Sequence, residues 1–96
     1  MLNEVKSYVN SFIDGTKNEI TIESENIYGD SKLEYTLSIE SQMASLSILA
    51  DFTYDFFVTD IESENIIMSK TLSFDTIKDL LKQVKEDLEM FSALAY

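Results

Sequence analysis

Apolar residues fall into two helical stripes with a long run of alternation between them. Leu2, Val5, Tyr8, Val9, Phe12 and Ile13 recur at three- and four-residue steps. That spacing predicts a helix over residues 2 to 14, with Gly15 as a stop. Then the period changes to two. Ile20 and Ile22 alternate with Glu19, Thr21 and Glu23. Leu33, Tyr35, Leu37 and Ile39 alternate with Glu34, Thr36, Ser38 and Glu40, the clearest strand in the chain. Leu46, Ile48 and Ala50 form a third such run and Tyr54, Phe56 and Val58 a fourth. Ile66, Met68 and Leu72 suggest a fifth. Polar turns separate them: Gly29-Asp30-Ser31, Glu40-Ser41-Gln42, Asp51-Phe52-Thr53 and Glu62-Ser63-Glu64-Asn65. Ile77, Leu80, Leu81, Val84, Leu88 and Phe91 return to helical spacing and predict a helix over about 74–92. Ser73 is its expected N-cap, with Asp75 in the first turn, where the helix dipole favours an anion.

Strands with one apolar and one polar face, joined by short turns, make an antiparallel meander. The order is helix, four or five strands, helix. Residues 1–96 then form one α+β domain, with both helices covering the same face of the sheet. The other face is left open.

Charge says what that open face could meet. The chain holds 18 acids against 7 lysines, a net −11. Residues 15–73, the strand region, carry 11 of those acids and 3 of the lysines, so −8 lies there. Nucleic acids as direct ligands and anionic membranes both require a basic surface and are not expected. The natural complement is a basic protein.

The missing residue types narrow the chemistry. There is no His, Cys, Arg, Pro or Trp. Without Cys or His there is no thiol nucleophile, no imidazole base and no usual transition-metal donor. The only glycines are Gly15 and Gly29, so no phosphate loop can form. We therefore expect no enzyme activity, no cofactor and no metal. Lack of Cys, of an apolar membrane span and of a signal-like start fits a cytoplasmic protein.

In this register the outward positions are rich in acids and hydroxyls around two apolar residues, Leu49 and Phe57, expected near the middle. Glu34, Glu40, Leu49, Asp55 and Phe57 are the candidate partner-binding residues, an aromatic anchor within a polar rim. A hexapeptide also repeats: Ile22-Glu23-Ser24-Glu25-Asn26-Ile27 recurs as Ile61-Glu62-Ser63-Glu64-Asn65-Ile66. Neither copy has the alternating ligands and central Gly of a calcium loop. Each reads as a strand end followed by a polar turn.

The stretch from about 43 to 91 brings a known group into view. It runs Ala44-Ser45-Leu46-Ser47-Ile48, then Tyr54-Asp55-Phe56-Phe57-Val58-Thr59-Asp60, the turn Glu62-Ser63-Glu64-Asn65, and Leu72-Ser73-Phe74 into the last helix. With its size and element order, this resembles the small acidic immunity proteins of bacterial polymorphic-toxin systems, in particular the TriTu-type group. About half the chain is covered. Where that group tends to have Trp or Gly in the third-strand region, this chain has Leu49 and Asp51-Phe52. The resemblance implies an inhibitor that binds and neutralises a cognate toxin, many such toxins being basic. It carries no active-site motif. Two other readings share the acidity: an acidic nucleic-acid mimic of the anti-restriction kind, and a homodimeric structural or assembly module.

Overall fold

Strict alternation produces the best-formed part of the sheet. In the computed structural model, which describes residues 2–15 and 20–93, β2 (Lys32–Ile39) buries every second residue: Leu33, Tyr35, Leu37 and Ile39. Its neighbour β3 (Gln42–Leu49) buries Ala44, Leu46 and Ile48, and β4 (Thr53–Asp60) buries Tyr54, Phe56 and Val58. β1 (Thr21–Tyr28) and β5 (Ile66–Ser73) form the edges. All pairings are antiparallel, in the order β1-β2-β3-β4-β5.

Two amphipathic helices cover the apolar face. α1 (Leu2–Gly15) inserts Leu2, Val5, Val9 and Ile13, and α2 (Ile77–Ala93) inserts Leu80, Val84, Leu88 and Phe91. α1 packs over β2, α2 over β4, and the helices touch each other. The result is the expected helix–meander–helix α+β fold. The helices sit over central strands, so the edge strands are the least covered.

Three local expectations change. First, the two copies of the hexapeptide have different structures. The first lies entirely within β1, whereas the second is the β4–β5 turn and only its final Ile66 is strand. Identical sequence takes two forms because context differs. The first copy pairs along β2. In the second, Asp60 Oδ1 accepts the Glu62 N–H at 3.1 Å and Ser63 Oγ accepts the Asn65 N–H at 3.3 Å, which closes a turn with Glu64 at φ 61°.

Second, β1 does not keep one face throughout. Its register against β2 shifts between Ile22 and Ser24. This bulge leaves Glu23 as the extra residue and turns Glu25 and Ile27, opposite Tyr35 and Leu33, towards the helices. Glu19, expected on the open face, lies outside the described residues. Third, α2 starts later. Ser73 ends β5, and Thr76 is the cap: its Oγ1 accepts the Asp79 N–H at 3.2 Å. Asp75 thus precedes the helix. Among the described residues, no helix is long and apolar enough to cross a membrane.

Candidate protein-binding surface

Cross-strand register defines the open face as four rows. One row runs Asn26, Glu34, Ser47, Asp55, Thr71. The next runs Ser24, Thr36, Ser45, Phe57, Ser69. A third holds Thr21, Ser38, Met43, Thr59 and Ile66 at one end of the sheet. Lys32 faces Leu49 at the other end, beside Tyr28. Hydroxyls dominate this plane.

Three of the five candidate residues come together there. Glu34 and Asp55 flank Ser47, about 10 Å apart across two strand spacings. Phe57 lies two residues along β4 from Asp55 and is 36% exposed, a large aromatic ring held among serines. Asp55 accepts a 2.6 Å hydrogen bond from Thr71 Oγ1, and Glu34 lies 3.5 Å from the Lys32 ammonium. Leu49 is on this face but at the strand's end rather than its middle. Glu40 is off the plane: it sits in the β2–β3 turn with φ 52°.

The acidity is therefore arranged differently from a uniformly acidic plane. The face itself carries Glu34, Asp55 and the bulged Glu23, which accepts the Ser38 hydroxyl at 3.0 Å. Asp30 and Asp51 belong to the turns at one end of the sheet, and Glu40, Glu62 and Glu64 to those at the other. Asp51 Oδ1 accepts the Thr53 N–H at 3.0 Å, and bonds from Thr53 hold its carboxyl below the usual aspartate range. A hydroxyl-rich centre with one aromatic is rimmed by carboxylates.

Behind the face, each edge strand is tied to a helix through charge. Glu25 of β1 meets Lys6 of α1 at 3.4 Å. Partial burial raises its pKa, but bonds from Tyr35 and Asn10 and the Lys6 charge outweigh that and leave it lowered. The Tyr35 hydroxyl also points at the Lys6 carbonyl at 3.5 Å, the long limit for a hydrogen bond. Lys70 of β5 meets Asp87 of α2 at 2.8 Å. Asp87 is only 3% exposed and is fully engaged. It accepts the Tyr54 hydroxyl at 2.7 Å and the Gln83 amide at 3.2 Å. Burial, then the adjacent carboxylate, pushes the Tyr54 phenol far above its ordinary pKa.

Asp87 and Lys70 escaped the sequence reading, although both carried a signal. Asp87 follows Leu80 and Val84 at helical spacing and precedes Phe91 by four, so it stands on the apolar stripe. Lys70 sits between Met68 and Leu72 in the alternating pattern of β5. A charge in an apolar register marks a partner across the core.

Among the described residues, no cluster of three or more acids could hold a metal ion. Comparison with family models, curated proteins and solved structures returns no match.

Proposed function

We propose that this chain is a non-catalytic binding domain of the immunity type, which occupies and neutralises a basic protein, such as a toxin encoded beside it. One observation carries this reading: the acid surplus is left on the sheet side of the molecule. Lys6, Lys32 and Lys70 each face a carboxylate, while Lys78, Lys82 and Lys85 are exposed along α2. The sheet's turns hold Asp30, Glu40, Asp51, Glu62 and Glu64, and among the described residues no lysine forms an ion pair with any of them. Such a field speeds encounter with a basic partner and masks the surface that partner uses for its own anionic substrate. The reading goes with a bacterial, cytoplasmic setting.

A partner of this kind also suits Phe57. An exposed aromatic ringed by hydrogen-bonding groups is a common arrangement for a binding hot spot. A nucleic-acid mimic would have more use for a track of carboxylates than for acids gathered in turns at both ends.

Co-expression with the product of the adjacent gene tests the proposal. The expected result is a complex whose affinity falls steeply with salt, with toxicity suppressed. Charge reversal at Glu34 or Asp55 weakens binding and flattens the salt dependence without unfolding the domain. No complex, or a complex indifferent to salt and to these reversals, overturns the reading.

A further inference from the structure

The two edges of the sheet are not equally guarded. β1 carries Glu23 and Glu25 and a bulge, devices that discourage another strand from pairing. β5 has its own bulge, where Ile67 is the extra residue between Ile66 and Met68, but from Met68 to Ser73 it carries neither bulge nor acid. Its eight residues, Ile66–Ser73, hold no acid, and its one cation, Lys70, turns inward to Asp87 at 2.8 Å.

Its backbone is also set for pairing. The Phe74 N–H donates to the Phe52 carbonyl at 3.2 Å. Counting back through the register Thr53↔Ser73, Tyr54↔Leu72, Asp55↔Thr71, Phe56↔Lys70 and Phe57↔Ser69, the hydrogen-bonded pairs are those of Leu72 and Lys70. Ser69, Thr71 and Ser73 therefore aim their N–H and C=O groups away from β4. β5 is the last strand of the sheet, so those groups have no strand partner among the described residues. Acids bracket this neutral edge in sequence, with Asp60, Glu62 and Glu64 before it and Asp75 and Asp79 after it.

We infer that β5 accepts an extended strand from the basic partner, one with a neutral middle and lysine or arginine at both ends. This rests on the function proposed above and names its mode of binding, β-strand addition. Three outward N–H and C=O pairs supply the main-chain bonds, and the bracketing acids select basic ends. A second copy of this chain fits poorly. An antiparallel self-pair would set Glu62 and Glu64 of one molecule against Asp75 and Asp79 of the other, and each molecule carries −11.

The probe is a synthetic peptide, Lys-Lys-(Thr-Val)4-Lys-Lys, titrated into the full-length protein and followed by amide NMR and hydrogen exchange. Protection should appear at Ser69, Thr71 and Ser73. Ser69→Pro removes an outward N–H but no ladder bond, and proline is tolerated on edge strands. It should weaken peptide binding about tenfold. Glu62→Lys with Asp75→Lys, both exposed, tests the bracket without touching the strand and should weaken binding comparably. No binding, shifts confined to the open face or β1, equal binding of a glutamate-ended peptide, or protection that grows with protein concentration alone would each overturn the inference. If the adjacent-gene complex forms and Ser69→Pro leaves it intact, the edge is wrong while the broader function stands. If no such complex forms, the broader function falls.

Discussion

The two flanks of the sheet use the same device with reversed polarity. On the β1 flank the strand supplies the acid, Glu25, and α1 the base, Lys6. On the β5 flank the strand supplies the base, Lys70, and α2 the acid, Asp87. A tyrosine from the next strand inwards joins each, Tyr35 on one side and Tyr54 on the other. Exposure separates them. The Lys6 and Glu25 side chains are 41% and 29% exposed, while the Asp87 side chain is 4% exposed beside that of Lys70 at 28%. An exposed pair gives back little because water serves each charge almost as well. A buried carboxylate has no such alternative, so its partners become obligatory. β1 is thus latched loosely, and β5, otherwise the barer edge, is held by a few groups that cannot be removed singly.

The largest expected difference follows from Asp87→Ala. It strands the Tyr54 hydroxyl in the core and leaves Lys70 without its anion. The loss should be about 3 kcal/mol, the low end for a broken buried pair because Lys70 keeps some water. Chemical denaturation measures it, and faster amide exchange should concentrate in β5. A loss as small as that for Lys6→Ala would break the contrast between the flanks. Tyr54→Phe comes next, at about 1–3 kcal/mol, since one buried acceptor position on Asp87 goes unfilled. It also has a pH signature. The folded-state pKa of Tyr54 is raised, so its contribution is complete below the ordinary tyrosine value of about 10. That contribution declines as pH climbs above this value towards the folded one. Wild type should lose stability in alkali, and Tyr54→Phe should lose less.

How much of this was legible in the sequence depends on whether charge followed pattern. β2 alternates without exception, and Leu33 to Ile39 could be assigned to the core from spacing alone. Phe57, Asp55 and Glu34 were placed outward by the same rule, and they share one face. Glu25 was not legible as an inward residue, because a bulge at Glu23 adds one residue and inverts everything beyond it. Glu40 continued the β2 alternation but belongs to a turn, since the chain reverses within two residues there. Lys70 and Asp87 were hidden for a different reason. Sorting charges outward discards just those charges that find each other inside. The repeated hexapeptide makes the general point: Glu-Ser-Glu-Asn has no shape of its own, and its neighbours decide between strand and turn.

The smallest effect belongs to the β1 flank. Lys6→Ala should cost no more than about 1 kcal/mol, and that cost should shrink in high salt, as for any exposed ion pair. Glu25 adds a sign that can be checked. Its folded pKa is lowered, so its stabilisation is present above the ordinary glutamate value of about 4.3 and is lost as pH falls through the folded value. Glu25→Gln keeps the side-chain shape but cannot titrate. Its stability profile should therefore run flatter than that of wild type between about pH 5 and pH 3. Lys6→Ala should have a similar but partial effect, because Tyr35 and Asn10 still bond the carboxylate. Tyr35 gives this flank an alkaline limb of its own, because burial and then Glu25 push its phenol above the ordinary value, so Glu25→Gln should trim that part. Neither change should alter the share of the alkaline loss that Tyr54 and Asp87 set on the opposite edge. If Glu25→Gln changed the alkaline loss that Tyr54→Phe removes, as a double mutant would show, the flanks would be coupled through the sheet, and they could no longer be treated as two independent latches.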